Sequence, residues 1–216
     1  MSAHGTQRFR ALQSNKKQAI LSVAAHEFAL YGYLAASTNR IAVQARISKG
    51  ALFSYFVSKE ELFVGVVSDL FDSIRRERPE LVLAPSRGSF HQMLLELAAR
   101  VWVFNAQWPV LFALDSEITF RSHMIPQCDL LRAEFSTLFE SHIEQMLRSA
   151  FETQELARDL SPEAARLLIL ATFDRLRNVS RWGVEHPAIR FEPPTSERYQ
   201  EIAERAISTL MRAVGR

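Results

Sequence analysis

The sequence predicts an all-α fold, on three observations. Its 216 residues include only 7 Gly and 8 Pro, few chain breakers for this length, which suits long helices better than a sandwich or barrel with many turns. Apolar residues recur at spacings of three and four along most of the chain, and no stretch shows the alternation of a half-buried strand. Residues able to cap helices precede several of these stretches. With 48% hydrophobic residues, a substantial core is expected.

The first predicted helix runs from about Ser14 to Tyr31. Ile20, Ala24 and Phe28 lie four residues apart within it and form one apolar face. Gly32 follows directly, at the position where a C-cap glycine belongs.

Two short helices follow in close succession. Ser37 or Thr38 can cap a helix over Asn39–Ala45, and Ser48 can cap another over Lys49–Phe56. A connection this short between helices this short forces a sharp angle between them.

Longer helices fill the rest of the chain. Ser58 to Glu61 form a capping box, and the apolar residues that follow predict a long helix reaching Pro79. Ser161, Pro162 and Glu163 form a second start signal, an N-cap with proline at the first helical position. The helices predicted beyond Pro79 are Ser89–Gln107, a shorter one from Pro109 through Glu117, Gln127–Glu152, one from Ser161 to about Glu185, and Ser196–Val214.

Charge is unevenly distributed between the two ends of the chain. Residues 1–59 carry eight cations and one acid, Glu27, a net +7, whereas the remainder carries 18 cations and 23 acids, a net −5; together they give the net +2 of the whole chain. A basic first quarter on an acidic body indicates a polyanionic partner, of which nucleic acid is the obvious candidate. A solvated basic surface without a partner is the alternative.

The short helix pair has the pattern needed to enter a DNA groove. One set of side chains is apolar and predicted to pack inward: Ile41, Ala42, Ile47, Leu52 and Phe56. The other set is small, polar or basic and is left outward: Lys49, Gly50, Ala51, Ser54 and Tyr55.

These residues resemble the TetR family of regulators. The family pattern Phe-x-x-x-Gly-Tyr reads FALYGY from Phe28, and its Ser-Lys-Gly-x-Leu-Tyr-x-Tyr-Phe-x-x-Lys-Glu-x-Leu reads SKGALFSYFVSKEEL from Ser48. The intervening Thr-x-x-x-Ile-Ala matches TNRIA from Thr38, with one residue fewer before the isoleucine. The resemblance implies an N-terminal three-helix helix-turn-helix domain, residues 1–60 with a basic arm, and a larger helical ligand-binding and dimerisation domain, residues 61–216.

Two positions depart from the family pattern. Arg46 replaces the glycine usual in the turn, and arginine costs about 1 kcal/mol there if the turn needs positive φ. Phe53 replaces the usual tyrosine, so a phosphate contact by that hydroxyl is lost or is made by another residue.

The resemblance also implies roles in DNA binding. Phosphate contacts are expected from Thr38, Tyr55 and Lys59; base contacts are expected from Lys49, Ala51 and Ser54, with Gly50 permitting close approach and Phe53 beside them. Phe53 and Tyr55 have an alternative interpretation as core aromatics. The N-terminal arm carries four cations, Arg8, Arg10, Lys16 and Lys17, which could add phosphate or minor-groove contacts. The alternative is that this segment is a disordered tail.

The second domain is expected to bind a small apolar or amphipathic ligand, as the resemblance implies. The candidate ligand-binding residues are mainly aromatic: Trp102, Asn105, Phe112, Phe139 and Phe173. Plain core packing is the alternative for these aromatics.

The two C-terminal helices are expected to form a homodimer. The residues predicted to bury against a second subunit are Leu167, Leu170, Ala171, Ile202, Ala206 and Leu210. A two-fold dimer would match a palindromic double-stranded DNA operator.

The function predicted is that of a sequence-specific DNA-binding transcriptional regulator, a repressor whose ligand lowers operator affinity. Control by a protein partner and, more distantly, an all-helical enzyme are the alternatives. No catalytic motif is visible, His123 and Cys128 lie five residues apart without further ligands, and neither a metal nor a cofactor is expected. The single cysteine and the absence of a long apolar run predict a cytoplasmic protein without a membrane contact.

Overall fold

The computed structural model describes residues 4–77, 88–111, 113, 114, 118, 125–179 and 195–215. Over these residues it contains helices and a single isolated bridge but no strand, so the all-α prediction is confirmed. The helices are α1 (Gln7–Arg10), α2 (Ser14–Ala35), α3 (Thr38–Gln44), α4 (Lys49–Tyr55), α5 (Lys59–Glu77), α6 (Phe90–Gln107), α7 (Pro126–Glu152), α8 (Pro162–Val179) and α9 (Ser196–Val214).

Most helix starts follow from local capping signals. The hydroxyl oxygen of Ser161 accepts a hydrogen bond from the Ala164 amide at 3.1 Å, which is the predicted N-cap of α8. The bounds of α9 are those predicted, and α7 begins one residue before its predicted start. The predicted ends at Pro79 and Glu185 lie outside the described residues.

Helix α2 is broken at Gly32 and then resumes. Gly32 has φ 69° and ψ 167°, a conformation open essentially only to glycine. The chain turns helical again up to Ala35, and the Ala36 amide donates to the Gly32 carbonyl at 3.1 Å. The prediction that the helix stops at Tyr31 is therefore wrong by one short turn, although Gly32 does interrupt it.

The contacts divide the chain into two compact units. The first holds Met1–Pro79 with Trp108–Thr137, and the second holds Glu80–Gln107 with Leu138–Arg216. Helix α5 packs against α2 within the first unit. The domain boundary predicted between residues 60 and 61 stays a prediction.

In the first unit, α2 packs against α3 and α5, and α4 packs against α1 and α3. The ring of Phe28 on α2 meets that of Phe63 on α5 edge to face, with centroids 5.0 Å apart. Ile41, Leu52 and Phe56, predicted to pack inward, are buried. The short helix pair thus rests on a fixed apolar support.

In the second unit, α6, α8 and α9 pack on one another, and residues 143–150 of α7 join their core. Tyr199 on α9 is fully buried and donates its hydroxyl hydrogen to the Ala98 carbonyl of α6 at 3.3 Å. The Ala157 amide donates to the Val214 carbonyl at 2.9 Å and fastens the end of α9. None of the described helices has the length and apolar character that a membrane span requires.

Candidate DNA-binding site

Two N-cap serines start the short helices. The hydroxyl oxygen of Ser37 accepts from the Arg40 amide at 3.4 Å, and that of Ser48 accepts from the Ala51 amide at 3.0 Å. Ser37, rather than Thr38, is therefore the cap of α3. In the family pattern Thr-x-x-x-Ile-Ala, the threonine stands four residues before the isoleucine. Ser37 stands four residues before Ile41, so Ser37, and not Thr38, occupies the position of the family threonine.

The turn between α3 and α4 requires a left-handed residue. Arg46 has φ 55°, and the Ile47 amide donates to the Ala42 carbonyl at 3.0 Å across it. The turn therefore does need positive φ at Arg46, and arginine in this conformation lowers the stability of the fold by about 1 kcal/mol relative to an unstrained residue.

The outward face of α4 is open at its N-terminal end. Lys49 and Gly50 are exposed. Among the described residues, a Cβ added at Gly50 would meet only the Ser48 hydroxyl oxygen, 4.0 Å away, so the packing there does not require glycine. Phe53 is 38% exposed, and the alternative that it is a core aromatic is wrong.

The C-terminal half of α4 is more enclosed than predicted. Ala51, Ser54 and Tyr55 are partly buried. The Ser54 hydroxyl donates to the Ala51 carbonyl at 2.7 Å, and the Tyr55 ring lies 6.2 Å from that of Phe9, centroid to centroid. Tyr55 is therefore a packed residue with an accessible part.

The N-terminal segment is folded onto α4, and the disordered-tail alternative is wrong for residues 4–13. Phe9 on α1 is 4% exposed and lies 4.5 Å from the Phe56 ring, centroid to centroid. The Thr6 hydroxyl donates to the Ser54 carbonyl at 2.7 Å, and the Thr6 amide donates to the Tyr55 carbonyl at 2.9 Å. These bonds satisfy carbonyls that the end of a helix leaves without intrahelical partners. Arg8 and Arg10 are exposed on α1.

Lys59 lies at the start of α5, where the predicted capping box forms. The hydroxyl oxygen of Ser58 accepts from the Glu61 amide at 3.0 Å, and the Glu61 carboxylate accepts from the Val57 amide at 2.6 Å. The Lys59 ammonium donates to the Leu34 carbonyl at 3.0 Å. Burial lowers the pKa of Lys59, and the negative charge of Glu27 opposes that shift.

The prediction overlooked a buried ion pair beneath this surface. The Glu27 side chain is 1% exposed, and its Oε1 accepts from Arg40 Nε at 2.9 Å and from the Ser37 amide at 2.7 Å. Burial alone would raise the pKa of Glu27, but the hydrogen bonds from Arg40 and Ser37 and the charges of Arg40 and Lys59 hold it below the ordinary value. The available signal was that Glu27 is the one acid in residues 1–59, on the apolar face of α2.

Three of the five predicted ligand-binding residues have described side chains. Phe173 and Asn105 are buried, and the Trp102 ring lies 4.7 Å from that of Tyr199, centroid to centroid. The side chains of Phe112 and Phe139 lie outside the described residues. Tyr199, which sequence reasoning missed, lies among these aromatics, and burial raises its pKa to about 12.

Two short helices joined by a tight turn, seated on packed helices within a basic segment, form a helix-turn-helix DNA-binding domain. Residues 20–66 match the family model described as bacterial regulatory proteins, tetR family.

Curated proteins similar to the chain are regulators too. It is 23% identical over 175 residues to the uncharacterized HTH-type transcriptional regulator YhgD of Bacillus subtilis, covering 81% of this chain and 88% of that protein. The HTH-type transcriptional repressor DhaR of Mycobacterium sp. is 21% identical over 160 residues, covering 73% and 78%. The HTH-type transcriptional regulator RutR of Escherichia coli is 42% identical over 65 residues, 30% of each chain.

Solved structures share the fold over nearly the whole chain. A TetR family regulator from Chloroflexus aurantiacus superposes with TM-score 0.69 at 20% identity, covering 99% of this chain and 100% of that one. The ketosteroid transcriptional regulator KstR2 of Mycobacterium tuberculosis superposes with TM-score 0.64 at 18% identity, covering 95% of this chain and 97% of that one. FadR of Bacillus subtilis, in complex with stearoyl-CoA, superposes with TM-score 0.56 at 15% identity, covering 90% of this chain and 97% of that one.

Residues 20–66 thus form a helix-turn-helix domain of the tetR-family type, and the chain is similar along most of its length to helix-turn-helix transcriptional regulators. The prediction of a regulator rather than an enzyme is confirmed by these relatives.

Proposed function

We propose that the chain is a repressor that binds a palindromic operator as a homodimer and is released by a small apolar or amphipathic ligand. The carrying observation is the outward face of α4, where exposed Lys49 and unpacked Gly50 begin a helix held from below by α1 and α3. A helix with one small, polar face and one packed face suits the major groove.

The roles proposed for individual residues are those that the family resemblance implies. Lys49, Ala51 and Ser54 would contact base edges, with Gly50 allowing close approach and Phe53 facing the DNA beside them. Thr38, Tyr55 and Lys59 would contact backbone phosphates, which fix register without reading sequence.

The dimer is supported by the outward face of α8. Ala164, Leu167, Leu168 and Ala171 recur at helical spacing on this face and are exposed, Leu167 to 68%. An apolar stripe of this kind favours burial against another helix.

One residue assigned to the dimer interface does not fit. Leu210 is 7% exposed and belongs to the core of its own chain, so its assignment to the dimer interface is wrong. Leu170, Ile202 and Ala206 are partly buried against that same core and have only part of their surface left for a partner.

The ligand proposal is supported by the aromatic residues of the second unit. Trp102 and Phe173 belong to or border its core, with buried Asn105 on the same helix as Trp102; Phe112 and Phe139 stay candidates from the sequence. Two proteins of the same fold support this class of compound: KstR2 is a ketosteroid transcriptional regulator, and FadR of Bacillus subtilis is in complex with stearoyl-CoA, an amphipathic molecule. A ligand releases DNA only if it binds better to the conformation that fits the operator less well.

The test is selection of binding sites from random DNA by the purified protein, followed by titration of saturated acyl-CoAs into the recovered complex. A palindromic motif bound by a dimer supports the operator proposal, and release by the acyl-CoA supports the ligand class. A folded dimer that enriches no motif, with or without acyl-CoA, would contradict the function. A palindromic motif whose binding is unaffected by acyl-CoAs would favour regulation by a protein partner.

A further inference from the structure

We infer that Arg40 binds a DNA phosphate and that buried Glu27 orients its guanidinium for that contact. This inference rests on the proposed operator binding and adds two residues to it. Neither residue belongs to the predicted contact set, and the two are joined by an ion pair that connects α2 to α3.

The guanidinium of Arg40 is held from three directions. Its Nε and Nη2 donate to the same oxygen of Glu27, at 2.9 and 2.5 Å. Nη2 also donates to the Ala35 carbonyl at 3.2 Å. The Tyr31 ring covers one face, with its centroid 4.3 Å from Cζ. A long side chain fixed in this way loses little rotamer freedom when it binds.

The free side of this group is open to an anion. The Arg40 side chain is 45% exposed, and within the described part of the chain Nη1 makes no hydrogen bond. A guanidinium that presents remaining N–H groups from a fixed plane suits a phosphate oxygen. The Glu27 carboxylate is 1% exposed and its charge is offset by Arg40, so no anionic oxygen of the pair faces an approaching phosphate at the surface.

The surroundings of Arg40 match a phosphate path. Thr38 lies two residues before it on α3, and the Lys59 ammonium is held on the neighbouring Leu34 carbonyl. Thr38 and Lys59 are both proposed phosphate contacts. Both lie near the C-terminal end of α2, where Arg40 donates to the Ala35 carbonyl. Glu27 serves here as a positioning residue, since its own side chain is out of reach of DNA.

The test measures affinity for the selected operator, and for a duplex of unrelated sequence, over a salt series. The principal variant is the double substitution Glu27→Gln with Arg40→Gln, which removes both charges and leaves no buried unpaired carboxylate. We expect the slope of log affinity against log salt to shrink by about 0.9 per subunit. Operator affinity should fall by about tenfold per subunit. Thermal unfolding of each variant shows whether it is folded.

Glu27→Gln alone distinguishes orientation of Arg40 from net charge, because the two predict opposite changes in operator affinity. The variant gains one net positive charge, so electrostatics alone predict tighter DNA binding. Loss of orientation predicts weaker operator binding instead, by about fivefold, and no further effect of Glu27→Gln in the Arg40→Gln background. Arg40→Lys should keep the salt slope but not restore operator affinity, because an ammonium cannot make the same paired, stacked contacts.

Arg205→Gln is the matched control, since Arg205 is 77% exposed on α9 in the other unit and should leave both slope and affinity unchanged. A double variant that is folded and keeps the wild-type slope would overturn the inference, and so would tighter operator binding by Glu27→Gln. In either case operator binding by the wild type would stand. Wild-type protein that shows no salt-dependent duplex binding would overturn the proposed function as well.

Discussion

Gly50→Ala separates the needs of the fold from the needs of DNA binding. Gly50 is the second residue of α4, and an added Cβ would lie in ordinary contact with the Ser48 hydroxyl oxygen at 4.0 Å. Glycine inside a helix costs about 0.5–1 kcal/mol relative to alanine. The variant should therefore be more stable by up to that amount, which raises the melting temperature of a chain of this size by about 1–4 °C.

The same methyl group should weaken operator binding. It would project from the face of α4 that we propose faces the groove, where it would hold the backbone away from the bases. We expect a loss of about tenfold, or about 1.4 kcal/mol, measured by fluorescence anisotropy on the selected operator. Unrelated duplex should be bound nearly as well as by the wild type, because most of that binding comes from phosphate contacts.

Gly65→Ala is the contrasting control. A Cβ at Gly65 would lie 3.1 Å from Cε1 of Phe56, which is 1% exposed, so this variant should lose stability rather than gain it. A Gly50→Ala protein that is more stable and binds operator as tightly as the wild type would refute the placement of Gly50 at the DNA.

Four further outcomes are expected. Arg46→Gly should raise the free energy of unfolding by about 1 kcal/mol in a urea titration, because Arg46 has φ 55°; no gain would mean that the turn adapts without strain. Thr6→Val should cost about 1–2 kcal/mol by removing a helix cap and a bond to α4, whereas Thr6→Ser should keep both, and equal losses would contradict this. Leu167→Glu should shift the sedimenting species from dimer to monomer while the chain stays folded, because Leu167 is exposed on the single chain, and an unchanged dimer would exclude this face. The depressed pKa of Glu27 contributes stability above the ordinary value of 4.5 that is lost as pH falls through the lower folded value, so Glu27→Gln should flatten acid unfolding there; an unchanged acid limb would contradict the pair.

Local signals predicted the helix starts well, because a cap acts within three residues. Ser48, Ser58 and Ser161 each accept a backbone amide hydrogen bond three residues on, as the sequence pattern required. Periodicity likewise predicted that Ile41 and Leu52 are buried.

Contacts between distant residues were not predictable in this way. Helix α1 has four residues and no apolar periodicity, and it is held by a Thr6–Ser54 bond that spans 48 positions. The Glu27–Arg40 pair joins two helices across a kink that only the three-dimensional path of the chain defines. Leu210 has the same apolar character whether it faces its own core or a partner, so periodicity could not distinguish the two.

The cations of the N-terminal segment differ in how firmly they are held, and this difference should divide their roles. Arg40 and Lys59 are each fixed by hydrogen bonds and lie against an aromatic ring, whereas the exposed side chains of Lys49, Arg8 and Arg10 make no hydrogen bond or ion pair with the described residues. A fixed cation binds a phosphate only where that phosphate lies in the correct position, so it sets the register of the protein on the duplex. A mobile cation finds a phosphate on any sequence and mainly adds non-specific affinity. On this proposal the +7 charge of residues 1–59 would measure attraction to DNA in general, and the few cations that the fold immobilises would determine how the helix pair is placed on it.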